Sequence, residues 1–139
     1  MATFNKFQVF VQDVHHKVHN LSADVMKVML TNTAPVVTNT VLANLVEITA
    51  QFGYAAGGTA PAITSSGHTA GVYKLVLADV VFTASGGQIG PFRYAVLYNS
   101  TPAAGPLICW HDYGSSITLN DTETFTWDAS AATGILTTT

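Results

Sequence analysis

A chain of 139 residues has the length of one ordinary domain, and it contains no run of about 18 apolar residues that could span a membrane. Only 9% of the residues are Asp, Glu, Lys or Arg, whereas a typical soluble domain has about 25%. The net charge is −3 and the five basic residues are scattered singly, which excludes the basic stripe that a nucleic-acid-binding protein uses to neutralise phosphates.

The first 20 residues carry apolar side chains at spacings of three and four, which is the pattern of one apolar stripe on a helix. The stripe consists of Phe4, Phe7, Phe10, Val11, Val14 and Val18. The string FQVFV also alternates and is β-branched, so a strand is the rival interpretation. We predict a helix from about Thr3 to His19, with residues 1–20 forming an N-terminal helix or arm. These residues lack a continuous apolar stretch, so we expect no signal peptide and synthesis in a cytoplasm.

The next 50 or so residues combine one strand with long loops. The string DVMKVMLTN is apolar on both faces and predicts a strand that is covered on both sides. Pro35 and its neighbouring asparagines interrupt any ladder, which predicts a loop over TNTAPVVTNT. Periodicity leaves LANLVEIT either helical or extended. The glycine- and proline-containing string FGYAAGGTAPAITSSGHTAG predicts turns, although its small residues could also edge a sheet.

Short apolar segments separated by turn residues fill the rest of the chain. They are VYKLVLADVVFTAS (one bent strand or two), FRYAVLYN, PLICWHDYG, SSITLN, TETFTWDAS and GILTTT. This succession is typical of an antiparallel sandwich or barrel. We predict a mainly β fold over residues 1–139 as a single domain, an antiparallel β-sandwich that could be a jelly roll, with a short N-terminal helix.

The histidines His15, His16 and His19 are the most suggestive group of metal ligands, because His15 and His19 would lie one turn apart on a helix. No HExxH glutamate accompanies them and no carboxylate is placed to converge on them. We therefore predict solvent-facing or interface histidines and no metal site. The lone Cys109, between Ile108 and Trp110, is predicted to be a small core residue.

A catalytic site is not predicted. His111 and Asp112 are neighbours on a predicted strand, so their side chains point to opposite faces and cannot form a triad pair. Ser115 and Ser116 follow without a GxSxG elbow, and no pair of carboxylates stands out. The glycines of GGQIGP lead into a strand and predict a turn, not a phosphate loop. We expect a protein that is not an enzyme and that has no cofactor.

Several strings in the chain resemble a known group of proteins. The strings TASGGQIGPFRYAVLYN, WHDYGSS and the terminal GIL, together with DVMKVMLTNTAP and QFGYAAGGTAP, are similar to those of small virion proteins encoded near the capsid genes of tailed bacteriophages. Some proteins of that setting act as capsid cement or decoration proteins. The resemblance covers most of the chain. It implies a structural protein, made in the host bacterial cytoplasm, that binds the major capsid protein on the outer surface of the shell.

The low charge allows two interpretations of the surface: a neutral, threonine-rich exterior, or an exterior that is buried against partner subunits, where charge would have to be desolvated. A homotrimer would suit a three-fold position on a shell, and we expect neither nucleic acid nor membrane as a partner. The predicted contact elements are the phenylalanine stripe and the loops Thr31–Thr40 and Gly53–Gly71. Their residues are Phe4, Phe7, Phe10, Thr31, Asn32, Pro35, Tyr54 and Pro61. If the stripe packs on the protein's own sheet, the loops become the better candidates.

An alternative function is a tail-associated or receptor-binding β-sandwich that recognises a cell-surface glycan. The chain has five tyrosines and two tryptophans, which could form a sugar-stacking platform. A sandwich of this length also needs aromatic side chains in its core, which is the simpler interpretation. Exposed tryptophans around one groove would favour the glycan-binding function, and burial of Trp110 and Trp127 would oppose it.

Overall fold

The computed structural model describes residues 2–129 and 134–138, and these residues are mainly β. One helix, α1, covers Val9–His15, and a single 3₁₀ turn covers Leu42–Asn44. The strands are β1 (Thr3–Lys6), β2 (Met26–Thr31), β3 (Ile63–Thr69), β4 (Val72–Leu77), β5 (Val80–Thr83), β6 (Ile89–Asn99), β7 (Leu107–Leu119), β8 (Thr124–Trp127) and β9 (Leu136–Thr138). All their pairings are antiparallel, which confirms the predicted class of fold with a short N-terminal helix.

The largest sheet has the strand order β1-β7-β6-β2, and both of its faces are covered. One face contributes residues such as Val28, Leu30 and Leu97 to the main core. The other face contributes Met29 and Val96 to a second cluster, which consists of Phe7, Met29, Tyr94, Val96, Tyr98, Leu107 and Trp110. Burial of successive residues of β2 on opposite faces confirms the prediction of a strand covered on both sides.

The two smaller sheets, of order β3-β4-β9 and β5-β8, share the main core with the large one. Leu75 and Leu77 of β4, Phe82 of β5 and Trp127 of β8 all belong to it. Because strands remote in sequence contribute to one apolar cluster, its burial is the main stabilising contribution that joins the three sheets. The sandwich and jelly-roll arrangements stay predictions.

The predicted helix from Thr3 to His19 is wrong in extent. Thr3–Lys6 forms β1, which pairs with β7 from Thr3 opposite Asp112 to Lys6 opposite Cys109. The backbone amide of Phe7 continues this contact by donating to the carbonyl oxygen of Ile108 at 3.1 Å. A seven-residue helix is too short to be stable alone, whereas pairing with β7 satisfies the backbone of residues 3–6. A ladder with a distant strand thus outweighs the local helical periodicity.

The bounds of strands β4, β5 and β7 also differ from those predicted from the sequence. VYKLVLADVVFTAS divides into β4 and β5, which lie in different sheets, and Asp79 at the break accepts a hydrogen bond from the amide of Ala129 at 2.8 Å. PLICWHDYG and SSITLN, predicted as two strands, form the one strand β7. Its pairing with β6 shifts register near Gly114, which has a φ of 86°. The predicted terminal edge strand is β9, and Thr139 lies outside the described residues.

Candidate functional site

The most unusual surface of the chain belongs to a segment that is almost free of charge. From Val28 to Tyr73, Glu47 is the only Asp, Glu, Lys or Arg residue. This low-charge segment, residues 28–73, contains both loops predicted as contact elements. Most of residues 32–62 lies outside regular strands and helices, so the segment needs other interactions to hold its backbone in place.

The single charged group of the low-charge segment is used inside it. The Glu47 Oε1 atom accepts a hydrogen bond from the Tyr54 hydroxyl at 2.6 Å and another from the Gly57 amide at 2.6 Å. The Tyr54 hydroxyl in turn accepts a bond from the Leu30 amide at 3.0 Å. Burial of the ring and its bond to Glu47 raise the pKa of Tyr54. The Glu47 carboxylate therefore connects Tyr54 with Gly57, and the Tyr54 hydroxyl connects both to Leu30 of β2.

A second attachment holds residues 57–59 against the large sheet. The Tyr98 hydroxyl of β6 donates to the Gly57 carbonyl oxygen at 2.6 Å, and Val28 and Thr59 exchange two backbone hydrogen bonds at 2.8 and 3.0 Å. Gly58, between Gly57 and Thr59 in the chain, has a φ of 82°. A Cβ atom at this residue would overlap the Val28 carbonyl oxygen. Only glycine combines this conformation with such a close approach, so Gly58 fixes the path of the loop.

The outer surface of the low-charge segment presents apolar side chains among hydroxyl and amide groups. Val36, Val37, Val46 and Phe52 are all exposed. Phe52 has a φ of 52°, which is uncommon for an aromatic residue, and its ring covers Gly87, where a Cβ atom would lie 2.7 Å from the ring. The predicted contact loop Thr31–Thr40 contains Val36 and Val37, but none of the four residues was named as a contact residue from the sequence. The usable signal was a pair of apolar residues, Val36-Val37, between loop-forming neighbours.

Of the eight residues predicted as interface candidates, only Phe4 and Asn32 have exposed side chains. The other six are buried within the chain itself: Phe7, Phe10, Thr31, Pro35, Tyr54 and Pro61. Phe7 packs in the second cluster and Phe10 in the main core, so the apolar stripe is divided between two faces. Phe7 and Phe10 thus pack on the protein's own sheets, whereas Phe4, Val11 and Val14 stay exposed. In place of the two buried phenylalanines, the loops become the better contact candidates. The interface itself stays a prediction.

The three N-terminal histidines do not converge. The Nδ1 atom of the exposed His15 lies 2.8 Å from the Val11 carbonyl oxygen, whereas His19 is buried beside Phe10. Within residues 2–129 and 134–138, no group of three or more His, Cys, Asp or Glu residues is placed to hold a metal ion. No helix in this part of the chain is long and apolar enough to cross a membrane.

His19 belongs to a buried polar network that ties the turn after α1 to the end of β6. The Asn99 Nδ2 atom donates to the Asp24 carboxylate at 2.6 Å and lies 3.1 Å from His19 Nδ1. Because this nitrogen is a donor, His19 Nδ1 is the acceptor and the neutral ring carries its proton on Nε2. No described residue accepts a hydrogen bond from Nε2, and the Asp13 carboxylate is 3.9 Å away. Burial lowers the pKa of His19.

His111 and Asp112 have separate partners, as the alternation of a strand predicts. The indole nitrogen of Trp127 donates to His111 Nδ1 at 3.3 Å, and burial lowers the pKa of this histidine. On the other face, Arg93 donates two hydrogen bonds to the Asp112 carboxylate at 2.8 and 3.1 Å. These bonds, and one from the Gly114 amide, lower the pKa of Asp112. The Ser116 hydroxyl donates to the Asn32 side chain. Ser116, His111 and Asp112 thus each have a different partner and do not form a catalytic triad.

The aromatic residues serve mainly in packing. Trp110 and Trp127 are both buried, as are Tyr54, Tyr94 and Tyr98. The described tryptophans therefore offer no exposed face to a sugar ring. Cys109 is buried in the main core, as predicted, and burial raises the pKa of its thiol.

Comparisons of the chain with protein-family models, with curated proteins and with solved structures found no match.

Proposed function

We propose that this chain is a non-enzymatic structural protein of a tailed-phage virion that binds and stabilises the outer surface of the capsid shell, with the major capsid protein as its partner. The observation that supports this proposal is the low-charge segment. Its one carboxylate is engaged by Tyr54 and Gly57, while apolar and neutral polar side chains face outward. Such a surface can be buried against another protein without the cost of removing charges from water.

The position of the exposed valines makes the low-charge segment a suitable contact surface. Val36, Val37 and Val46 project from loops whose backbone is held in place. The Asn39 side-chain oxygen accepts from the Val36 amide at 2.7 Å, the Gln8 amide donates to the Val37 carbonyl oxygen at 3.0 Å, and the Thr31 hydroxyl donates to the Val46 carbonyl oxygen. A loop that is already ordered loses less conformational entropy on binding than a mobile one does. These loops therefore combine apolar area with preorganisation.

A small shell-binding protein binds more tightly when several copies are joined and bind the shell together. We propose a homotrimer, in which three copies of the low-charge segment engage the shell at once, so that weak single contacts combine into high avidity. Because the trimer binds the assembled lattice in preference to free subunits, it stabilises the lattice by mass action. The location that follows is the outer surface of the virion.

The glycan-binding alternative has less support. A sugar-binding groove uses exposed aromatic faces, and Trp110 and Trp127 are in the interior of the chain. Phe52 is the exposed aromatic residue of the low-charge segment, but a single ring already seated on Gly87 is not a platform.

The first experiment is the solution mass by light scattering after size exclusion, at two protein concentrations. We expect a stable trimer near three times 14.7 kDa at both concentrations. A strict monomer would remove the avidity argument.

The second experiment measures cosedimentation with emptied capsids of the phage whose genome encodes the chain. Val36→Lys places a charge on the low-charge segment, and Val81→Lys is the matched control on β5, because both valines are 55% exposed. We expect Val36→Lys to weaken binding about tenfold or more, since a lysine at a contact must be desolvated, and Val81→Lys to leave it unchanged. Equal binding by the two variants would contradict the proposed contact surface.

A further inference from the structure

A cavity of about 600 Å³ lies between α1, the turn that follows it and the β3-β4-β9 sheet. Phe10 and Val14 of α1, Leu21 of the turn and the ring of Tyr73 on β4 form its apolar wall. The volume is within the range of small-molecule sites, about 300 to 1,000 Å³. The wall combines elements that are more than 50 residues apart in sequence, so tertiary structure alone creates it.

One cationic side chain stands on this wall. Lys17 is the only charged residue among the described residues that line the cavity, and no described carboxylate pairs with it. The nearby acidic groups are directed elsewhere: Asp24 accepts hydrogen bonds from the Asn20 amide and the Asn99 side chain, and Asp13 lies toward His19. Among the described lining residues, Lys17 is therefore the cation with which an anion can pair, whereas Asp13 and Asp24 would repel an anion close to His19.

Polar groups also line the cavity. The hydroxyls of Ser66 and Tyr73 are 2.8 Å apart and satisfy each other, and Lys17 is exposed at the end of the helix turn with a φ of 63°. The left-handed conformation at Lys17 reverses the chain after α1, and the Lys17 amide donates to the Val14 carbonyl oxygen at 3.3 Å. Lys17 thus lines the cavity together with Val14.

We propose that this cavity binds a small aliphatic monocarboxylate, with a chain of about six to ten carbons against the apolar wall and its carboxylate at Lys17. The apolar chain releases water from Phe10, Val14 and Leu21, and the ammonium group of Lys17 selects the anion. This inference is independent of the proposed role on a capsid, because the cavity and the exposed valines of the loops share no residue.

The test is a titration with octanoate followed by ¹H–¹⁵N NMR of the whole chain. We expect saturable shifts confined to the amides of Val14, Leu21 and Tyr73 and to the ring of His19, which also lines the cavity. Octan-1-ol is the matched uncharged probe, and we expect it to bind about threefold to tenfold more weakly because it makes no ion pair. Scattered, unsaturable shifts with octanoate, or equal affinity of the two probes, would overturn the proposal.

Two variants locate the site. Val14→Phe enlarges a side chain of the apolar wall and should weaken octanoate binding, whereas Val11→Phe, on the same helix but outside the described lining, should leave it unchanged. Lys17→Gln should lower octanoate affinity to that of octan-1-ol and leave octan-1-ol binding as it was. Undiminished octanoate binding by Val14→Phe, with the remaining spectrum native, would refute this location. If Val14→Phe does not fold, Lys17→Gln decides: octanoate affinity equal to that of the unmodified protein refutes the proposal.

Discussion

The β6-β7 ladder and the low-charge segment are both ordered, but by different kinds of interaction. Strands β6 and β7 pair over most of their length, and their backbone groups bond to each other. Residues 32–62 instead contain one 3₁₀ turn and two isolated bridges. Side chains there accept the backbone hydrogen bonds that a neighbouring strand would otherwise accept. The Asn44 side-chain oxygen Oδ1, for example, accepts from the amides of Thr40 and Val41. Order in the first region comes from repeated backbone pairing, and in the second from a small number of side-chain hydrogen bonds.

The largest expected loss of folding free energy comes from a substitution on β6, in the β6-β7 ladder. Phe92 is buried in the main core, 4.9 Å from the ring of Phe125, whereas Phe4 is exposed on β1. Phe92→Ala should lower the free energy of unfolding by about 3–5 kcal/mol, because it leaves a cavity among close-packed side chains. Phe4→Ala should cost less than about 1 kcal/mol. Urea unfolding curves measure both, and similar losses would show that the core is not the main source of stability.

The next effect tests the anchor at Gly58. Gly58 and Gly71 have the same φ of 82°, but a Cβ atom meets the Val28 carbonyl only at Gly58 and meets nothing within 4 Å at Gly71. Gly71→Ala should therefore cost about 1 kcal/mol from its backbone conformation alone. Gly58→Ala should cost about 2–4 kcal/mol, since the clash adds to the same conformational term. Equal midpoints of urea unfolding for the two variants would mean that residues 57–59 are not held against β2.

A smaller effect tests the hydroxyl that connects β2 with Glu47. Tyr54→Phe leaves the buried Leu30 amide without its partner, which should cost about 1–3 kcal/mol. Tyr73→Phe is the control, because among the described residues its half-buried hydroxyl bonds the Ser66 side chain and no backbone amide, and about 0.5 kcal/mol is expected. Amide hydrogen exchange should show faster opening at Gly57 in Tyr54→Phe. Protection equal to that of the unmodified chain would contradict the anchoring role.

The smallest expected effect is a pH dependence that arises from His19 and His111. Burial lowers the pKa of both below 6.5, so the unfolded chain binds protons more readily than the folded chain. Their contribution to stability is present above pH 6.5 and is lost as the pH falls through the folded-state pKa values. His111→Gln keeps an acceptor for Trp127 but does not titrate. Its unfolding free energy should fall less between pH 8 and pH 5 than that of the unmodified chain, and an unchanged slope would exclude His111 as a cause.

The sequence predicted correctly those features that depend on the alternation of side chains along a single strand. The two-sided apolar content of DVMKVMLTN predicted the covered strand β2. The strand position of His111 and Asp112 predicted their separate partners. The burial of Cys109 and of both tryptophans also followed from composition and strand context. In each case the alternation of side chains along a strand is a local property, so the sequence suffices.

The candidate surface was less accessible to sequence analysis. The two predicted contact loops lie within residues 28–73, and the low charge of this range was visible in the sequence. The individual residues were not, because Tyr54 and Pro61 look like ordinary loop residues and yet are buried, while Val46 looks like a core residue and yet is exposed. Burial of a loop side chain depends on which distant strand lies beneath it, and no local periodicity encodes that.

The sequence by itself determined a mainly β, antiparallel chain with a short N-terminal helix, a low-charge surface and an apolar interior. Only the tertiary structure decided that residues 3–6 pair with β7, that the phenylalanine stripe divides between two clusters, and that Glu47 faces inward. It also created the cavity beside Lys17. The physical reason is the same in each case. Backbone ladders and buried hydrogen bonds between residues distant in sequence contribute more free energy than local propensity, and they therefore override it.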